Sequence, residues 1–461
     1  KERGKEMAYN FISCDRGQKY LLPPSLLEWL PEGDLTWFIL DAVEQMEVED
    51  FYKKHRSDGW GRAAFEPSMM VSLLLYGYCM GERSSRRIEQ LCERDIGFRV
   101  IAANQRPDHS TIARFRKEHE KELEKLFTEV LKLCAEAGLV KVGIVALDGT
   151  KMKAHAALSS NRTQKHIEEE VEKMLEEAAS KDAEEDRKFG KDKRGDELPE
   201  ELRGRQSRLI RLKECKERLE REATEVVASQ QRRIDEREAE EAETGRKKRG
   251  RKPKKPEEAK NKEAKANITD PESRIMKGRV GYVQGYNGQA VVTEGQIIVA
   301  AELTQEENDV QQLDPMVKKA GKNLIEVGVK EEMGVGVADA GYWSEANVKD
   351  ASGTMPELLI ATKKDWKQRE AIREQEPPRG RIPDGLSERE RMERKLLTKR
   401  GKRLYSKRGQ MIEAVFGQIK EVRRMSRFIR RGLSACASEW KLMCATHNLL
   451  KLFRSGKACW V

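Results

Sequence analysis

Apolar positions between residues 20 and 135 recur at helical spacing, and the region reads as helices joined by short turns. Pro67 stands at the head of an apolar run, Ser68–Met80, that includes Tyr76 and Tyr78, which predicts a helix opened by proline. Glu82-Arg83-Ser84-Ser85-Arg86-Arg87-Ile88-Glu89 opens a second helix with serines available as caps. Pro107-Asp108-His109-Ser110-Thr111-Ile112-Ala113-Arg114-Phe115-Arg116 opens a third, capped by Asp108 or Ser110. Short helices with Arg114 and Arg116 in a first turn fit a helix-turn-helix, with Arg86 and Arg87 on the neighbouring helix. They fit an ordinary helical bundle with surface arginines equally well.

The pattern then changes. Val140–Leu147 is a short β-branched run ending at Asp148-Gly149 and predicts a buried strand. In residues 161–270, 61 of 110 are charged, and Leu212, Leu219 and Val226 repeat every seven. This predicts a solvated helical hairpin with weak coiled-coil pairing, followed by a disordered stretch at 244–265. Regular patterning returns at Arg279. Val280–Val292 and Gln296–Leu303 flank Thr293-Glu294-Gly295 as a hairpin. Leu313–Val327 reads as a helix, Gly334–Asp339 as a strand, Ser344–Asp350 as a helix and Glu357–Ala361 as a strand. Residues 362–400 read as a charged connection. Lys407–Met425 reads as a helix with Ile412, Val415, Phe416, Ile419 and Val422 on one stripe, and Trp440–Phe453 as a final helix. The order predicts an α/β fold, a mixed sheet with helices packed on it. The domains expected are 1–135 (helical, DNA-binding), 136–160 with 271–461 (discontinuous α/β, catalytic), and 161–270 (charged insertion).

Charge sharpens the functional reading. The net charge is +10, yet residues 391–460 carry 19 Lys/Arg against 4 Asp/Glu. A segment that basic calls for an anionic partner, and nucleic acid is the commonest. Its densest part, Arg423-Arg424-Met425-Ser426-Arg427-Phe428-Ile429-Arg430-Arg431, favours Arg, the better phosphate fork. A second basic run, Arg246–Pro256, resembles an AT-hook through Arg249-Gly250-Arg251, a form that follows a narrow minor groove. No run of 18 apolar residues occurs, so no membrane helix is expected, and Lys1–Asn10 is unlike a signal peptide. The eight cysteines form no CxxC and read as buried, reduced residues of a cytosolic protein.

Candidate chemistry lies in the acids. Asp148 and Asp339 each follow a short apolar strand, and adjacent strands would place both at one end of a sheet. Two close carboxylates are stable together mainly around a divalent cation, and Mg²⁺ suits carboxylate oxygen. Glu413 is the candidate third acid, with Lys420 seven residues on; Glu421 is the alternative. A pair of ions would stabilise both the attacking and the leaving oxygen of an in-line phosphoryl displacement. No G-x-x-x-x-G-K-[ST] occurs, so no nucleotide cofactor is expected.

These residues carry a family resemblance. Tyr20–Leu26, Glu28–Glu32, Met80–Glu89, Ala103–His109, Ala146–Lys151, Ala338–Ser344 and Ile412–Lys420 together resemble bacterial insertion-sequence DDE transposases, of the IS1182-like group within the IS4-like set. The resemblance implies an RNase H-like catalytic fold with an N-terminal helical domain. It implies that Asp148, Asp339 and Glu413 are catalytic Mg²⁺ ligands, with Mn²⁺ able to substitute. The implied reaction is water attack at the element ends, followed by joining of the 3′ hydroxyl to target DNA. The implied partners are terminal inverted repeats, target DNA and a second copy of the chain on DNA; the implied place is the bacterial cytoplasm, on the nucleoid. The set's Tyr-x2-Arg-x3-Glu-x6-Lys signature matches Tyr405-x2-Arg408 and Glu413-x6-Lys420, but four residues separate Arg408 from Glu413. Tyr405 and Arg408 are then expected at phosphate near the scissile bond, and Trp343 at a flipped base. Lys420, Arg423, Arg424 and Arg427 complete the DNA-binding set. The rival reading is a DNA-binding protein, derived from such an enzyme, that no longer cuts.

Overall fold

The computed structural model describes residues 25–54, 64–189, 200–247, 253, 255–256, 264–278, 281–349, 356–381, 383 and 385–458, with 27, 178–189 and 200–206 as backbone only. The N-terminal helices include Leu35–Glu44, Pro67–Cys79, Ser85–Arg94, His109–Glu118 and Glu120–Glu136. Their starts follow local chemistry. The Asp34 carboxylate accepts from Thr36 N, and Glu66 accepts from Met69 N ahead of Pro67. At the third predicted helix Asp108, rather than Ser110, is the cap, accepting from Thr111 N at 2.9 Å. Pro67–Cys79 is buried on every side except at Ser68, as expected of a central helix that is apolar all round.

Eight strands follow: β1 (Ile144–Lys153), β2 (Asn161–Thr163), β3 (Lys265–Asn267), β4 (Arg274–Gly278), β5 (Gly281–Thr293), β6 (Ile298–Thr304), β7 (Val335–Ala338) and β8 (Glu357–Ile360). The main sheet runs β5–β1–β7–β8, with β4 and β6 both paired to β5. β1 lies antiparallel to β5 and parallel to β7, and β8 is parallel to β7. This is a mixed sheet with helices on it, in agreement with the RNase H-like expectation. β1 differs from its predicted limits: it continues past Asp148 to Lys153, because β5 supplies a partner for every residue from Val145 onward.

The C-terminal helix, Leu433–Ser455, is longer than its predicted core and packs against Glu120–Glu136, Pro67–Cys79 and β6. Trp440 is fully buried, and a Cβ on Gly288 would lie 3.0 Å from its ring, so glycine leaves room for the indole. Asn448 serves this helix as a strand would: it accepts from Ile298 N at 2.9 Å and donates to Ile298 O at 2.8 Å. A single apolar core therefore links the N-terminal helices, the sheet and the C-terminal helix.

The charged insertion is built separately. Helices Gln164–Phe189 and Glu200–Thr244 meet through Ile167, Leu212, Cys215 and Leu219, and the β2–β3 pair closes that small cluster with Ala266 and Ile268. Val226 of the predicted heptad is 43% exposed, so the apolar seam stops at Leu219. Two helices, Asp365–Glu374 and Glu388–Leu397, occupy part of the region read as a connection. Six cysteines, Cys79, Cys92, Cys134, Cys215, Cys436 and Cys444, are buried and free of disulfides; Cys14 and Cys459 lie outside the described residues. No helix among the described residues is long and apolar enough to cross a membrane.

Candidate active site

The parallel pairing of β1 with β7 ends at Leu147 and Ala338. The next residues are Asp148 and Asp339, so the sheet itself places the two acids side by side. Asp148 lies within β1 and Asp339 at the turn after β7, and each is oriented by a following backbone amide: Gly149 N donates to Asp148 Oδ1 at 2.8 Å, and Gly341 N donates to Asp339 Oδ1 at 2.8 Å.

Between them stands one guanidinium. Arg408 Nη2 lies 2.6 Å from Asp148 Oδ2 and 4.0 Å from Asp339 Oδ2. Its Nη1 lies 3.8 Å from both Asp365 Oδ1 and Glu413 Oε1. The Arg408 side chain is only 7% exposed. Burial pushes the Asp148 carboxyl up to about 7, Arg408 opposes the rise and Asp339 adds to it. Burial raises Asp339 as well, again against Arg408. Arg408 itself is raised, its burial outweighed by Asp148 and the other neighbouring charges. The two directions agree physically: one cation is shared among several acids, so it gains from all of them while none is fully compensated.

The helical segment carrying Arg408 explains the extra residue in the signature. Lys399–Arg408 is α-helical, but Gly409–Glu413 is a π turn, whose bonds run from i to i+5. On an α-helix, residues five apart point in different directions. The π turn absorbs one residue and returns Glu413 to the Arg408 side. A second π turn, Gln418–Val422, rotates Val422 off the predicted apolar stripe; it is 71% exposed while Ile412, Val415 and Ile419 are buried. Glu413 is also ion-paired to Arg369. Glu421 is exposed and forms no ion pair with a described residue.

The donor set fits a divalent cation in its chemistry: hard carboxylate oxygens, two of them partly buried and short of compensating charge. Among the described residues no three metal-ligating side chains already enclose a site, for Arg408 stands between them.

Three neighbours escaped sequence reading. Asp365 and Arg369 sit on the helix Asp365–Glu374, hidden in a charged stretch without apolar periodicity. Asp309 lies five residues past β6, in the charged stretch Glu306-Glu307-Asn308-Asp309, and lacks the signal of an acid directly after an apolar run that singled out Asp148 and Asp339. The same helix Asp365–Glu374 carries Trp366, 61% exposed. Trp366 lines a cavity of about 550 Å³ with Lys363, Lys364, Lys367, Arg389 and Ala340, the residue after Asp339.

The expected DNA-binding residues are not all at the surface. Arg86, Arg87 and Arg114 are exposed on the N-terminal helices, and Arg424 and Arg427 are exposed near the C-terminal helix. Arg116 is buried, with Nη1 donating to Ser85 Oγ at 3.3 Å and its guanidinium 5.7 Å from the Tyr78 ring centre. Arg423 is buried too. It donates to Thr446 Oγ1 (2.7 Å), Met443 O (3.0 Å), Gln418 Oε1 (3.1 Å) and Tyr78 O (3.4 Å), and burial lowers it to about 10. Both arginines are corrected from phosphate contacts to internal groups, because the helix His109–Glu118 turns Arg116 inward and the end of the Gln418–Val422 turn directs Arg423 inward. Arg423→Ala is expected to destabilise the protein by about 3 kcal/mol in urea denaturation, since it strands buried acceptors. An unchanged unfolding midpoint would contradict this. Lys420 is half-buried and donates to Lys151 O at 2.8 Å. Tyr405 is buried, its hydroxyl without a hydrogen bond among the described residues. Trp343 is half-buried against the core, and the more exposed indole beside Asp339 is Trp366. Arg249 and Arg251 lie outside the described residues.

Comparison with known proteins gives two family matches. Residues 24–118 match the model of a transposase domain (DUF772), and residues 381–453 match that of a transposase DDE domain. The second match contains Tyr405, Arg408, Glu413 and Lys420. No curated protein and no solved structure matches the chain.

Proposed function

Because the chain carries the transposase domain and the DDE domain of a DDE transposase, we propose that it cuts DNA at the ends of an insertion sequence and joins the freed 3′ hydroxyl to target DNA. The observation that carries this reading is the convergence of Asp148, Asp339 and Glu413 on one guanidinium from three separate parts of the chain. These three acids would hold Mg²⁺, or Mn²⁺ in its place, as two ions. When bound, the metal supplies Lewis acidity at the phosphoryl oxygens and a more acidic water.

In the cutting step a water oxygen attacks phosphorus, the bond from phosphorus to O3′ breaks, and O3′ leaves with the electron pair and takes up a proton. In the joining step that 3′ hydroxyl attacks a target phosphate and releases a new 3′ hydroxyl. One phosphodiester replaces another, so no nucleotide cofactor is needed. Of the three expected phosphate contacts, Tyr405 and Arg408 are buried, Arg408 as the counter-charge of the acids; Lys420, half-buried on the same helical segment, is the one that orients phosphate near the scissile bond. Lys363, Lys364, Lys367 and Arg389 line a path for the strand, and Trp366 offers a face on which a base can stack.

The N-terminal helices of residues 1–135 read the inverted repeats through Arg86, Arg87 and Arg114. The α/β part, 136–160 with 271–461, does the chemistry, aided by Arg424 and Arg427. The insertion, 161–270, adds minor-groove contacts through Arg249 and Arg251. Two ends must be joined, so a homodimer on DNA is the working form, acting at the nucleoid in the cytoplasm.

Incubation with a labelled element-end fragment tests this. Cutting is expected with Mg²⁺, is lost in EDTA and in Glu413→Ala, and persists in Glu421→Ala. Full activity in Glu413→Ala with loss in Glu421→Ala would move the third acid. Tight binding without cutting under every divalent metal would sink the reading and leave a DNA-binding protein that no longer cuts.

A further inference from the structure

Asp309 has no place in the three-acid scheme, yet its carboxylate reaches Gly149, beside Asp148 in β1, and Gly341, in the turn after Asp339. Asn287 Nδ2 and Gln289 Nε2, buried neighbours on β5, each donate to Asp309 Oδ1 at 2.7 Å. Lys151 Nζ lies 3.9 Å from the same oxygen. Tyr342 donates its hydroxyl to Gln289 Oε1, which ties the turn after Asp339 into the same group. Asp309 Oδ2 accepts no hydrogen bond from a described residue.

Two glycines make this possible. A Cβ on Gly149, next to Asp148, would lie 2.4 Å from Asp309 Oδ1. A Cβ on Gly341, two residues after Asp339, would lie 3.3 Å from Asp309 Oδ2 and 3.0 Å from Asp339 Oδ1. The glycines of Asp148-Gly149 and Asp339-Ala340-Gly341 therefore leave open the space that the Asp309 carboxylate enters. An acceptor accompanies it: Asn287 Oδ1 is buried without a hydrogen-bond partner among the described residues, 2.9 Å from the Gly149 Cβ position.

A clasp on Asn287 and Gln289 needs no charge. A neutral amide would accept from them equally well, whereas the Asp309 carboxylate repels both Asp148 and Asp339, and Lys151, 3.9 Å from Oδ1, is the one described cation that offsets it. An uncommitted anionic oxygen facing Asp339, with an unpartnered amide oxygen nearby, is an arrangement completed by a cation. We propose that Asp309 is a fourth carboxylate of this site and holds a divalent cation together with Asp339. The inference rests on the acid-site reading above.

The test is Mn²⁺ binding to the full-length protein without DNA, followed by the electron paramagnetic resonance signal of free Mn²⁺. Asp309→Asn keeps the shape and the hydrogen bonds, and is expected to weaken Mn²⁺ binding about tenfold or more. Gly341→Ala removes no carboxylate and is expected to weaken it as well, because its Cβ would press on both Asp339 Oδ1 and Asp309 Oδ2. Asp148→Asn and Asp339→Asn serve as references. Wild-type Mn²⁺ affinity in Asp309→Asn, with loss in the two references, would overturn the role of Asp309 and leave the three-acid site standing. Wild-type affinity in the references themselves would overturn the acid-site reading.

Discussion

Asp148→Asn is expected to abolish metal-dependent cutting of element-end DNA, lowering the rate about 10³-fold or more, while DNA binding is retained. The magnitude follows from the several kcal/mol that a metal contributes to the developing phosphoryl charge, at about 1.4 kcal/mol per tenfold in rate. Asn keeps the volume of the side chain and removes the anionic oxygen, so the sheet pairing of β1 is untouched. The same variant has a signature in stability. The Asp148 carboxyl sits at about 7 in the folded chain, above its ordinary 3.8, chiefly through burial. Between those values the folded protein holds a proton that the unfolded chain has released, so metal-free stability falls as pH rises through that window. Asp148→Asn cannot ionise and should flatten that part of the profile, and at pH 8 should melt no lower than the unsubstituted protein. Cutting at the unsubstituted rate, or a variant that melts far lower at pH 8, would contradict the assignment.

Arg408→Gln is expected to destabilise the metal-free protein by about 3–5 kcal/mol at pH 8, the range for removing one partner of a buried ion pair. Its guanidinium is nearly inaccessible and is the common counter-charge of Asp148, Asp339, Asp365 and Glu413, so little solvent remains to replace it. The loss should reverse in part on adding Mg²⁺ or Mn²⁺, which would take over the positive charge. Ligand linkage gives about 2.7 kcal/mol at a hundredfold excess over the dissociation constant. The unsubstituted protein, already neutralised by Arg408, should gain less from the same metal. Thermal melts with and without metal decide it: equal metal-induced shifts in the two proteins would mean that Arg408 and the cation do not share a place.

Sequence alone determined the features that depend on near neighbours. Helix starts at Pro67 and Asp108, the strands before Asp148 and Asp339, and the helical segment bearing Glu413 follow from caps, prolines and apolar spacing within a few residues. The two acid blocks were legible because a stretch buried on both faces is a short unbroken apolar run, and polarity returns at Asp148 and Asp339; only β7 ends there, whereas β1 runs on to Lys153 along β5.

Tertiary structure alone decided who meets whom. Arg408 reaches Asp148 across 260 residues of chain, a contact made by closing the sheet against the helical segment rather than by any local pattern. The π turn at Gly409–Glu413 moved Glu413 onto the Arg408 side, which α-helical spacing would not place there. Arg116 and Arg423 look like surface charges in a basic sequence, yet both side chains turn into the core: Arg116 reaches Ser85 through one donor, and Arg423 spends its donors on buried acceptors. Asp309 and Asp365 belong to charged stretches without periodicity and acquire meaning only beside β1, β7 and Arg408. Local propensity is a property of adjacent residues, whereas charge compensation and burial are properties of the folded neighbourhood, and the candidate site is made almost entirely of the latter.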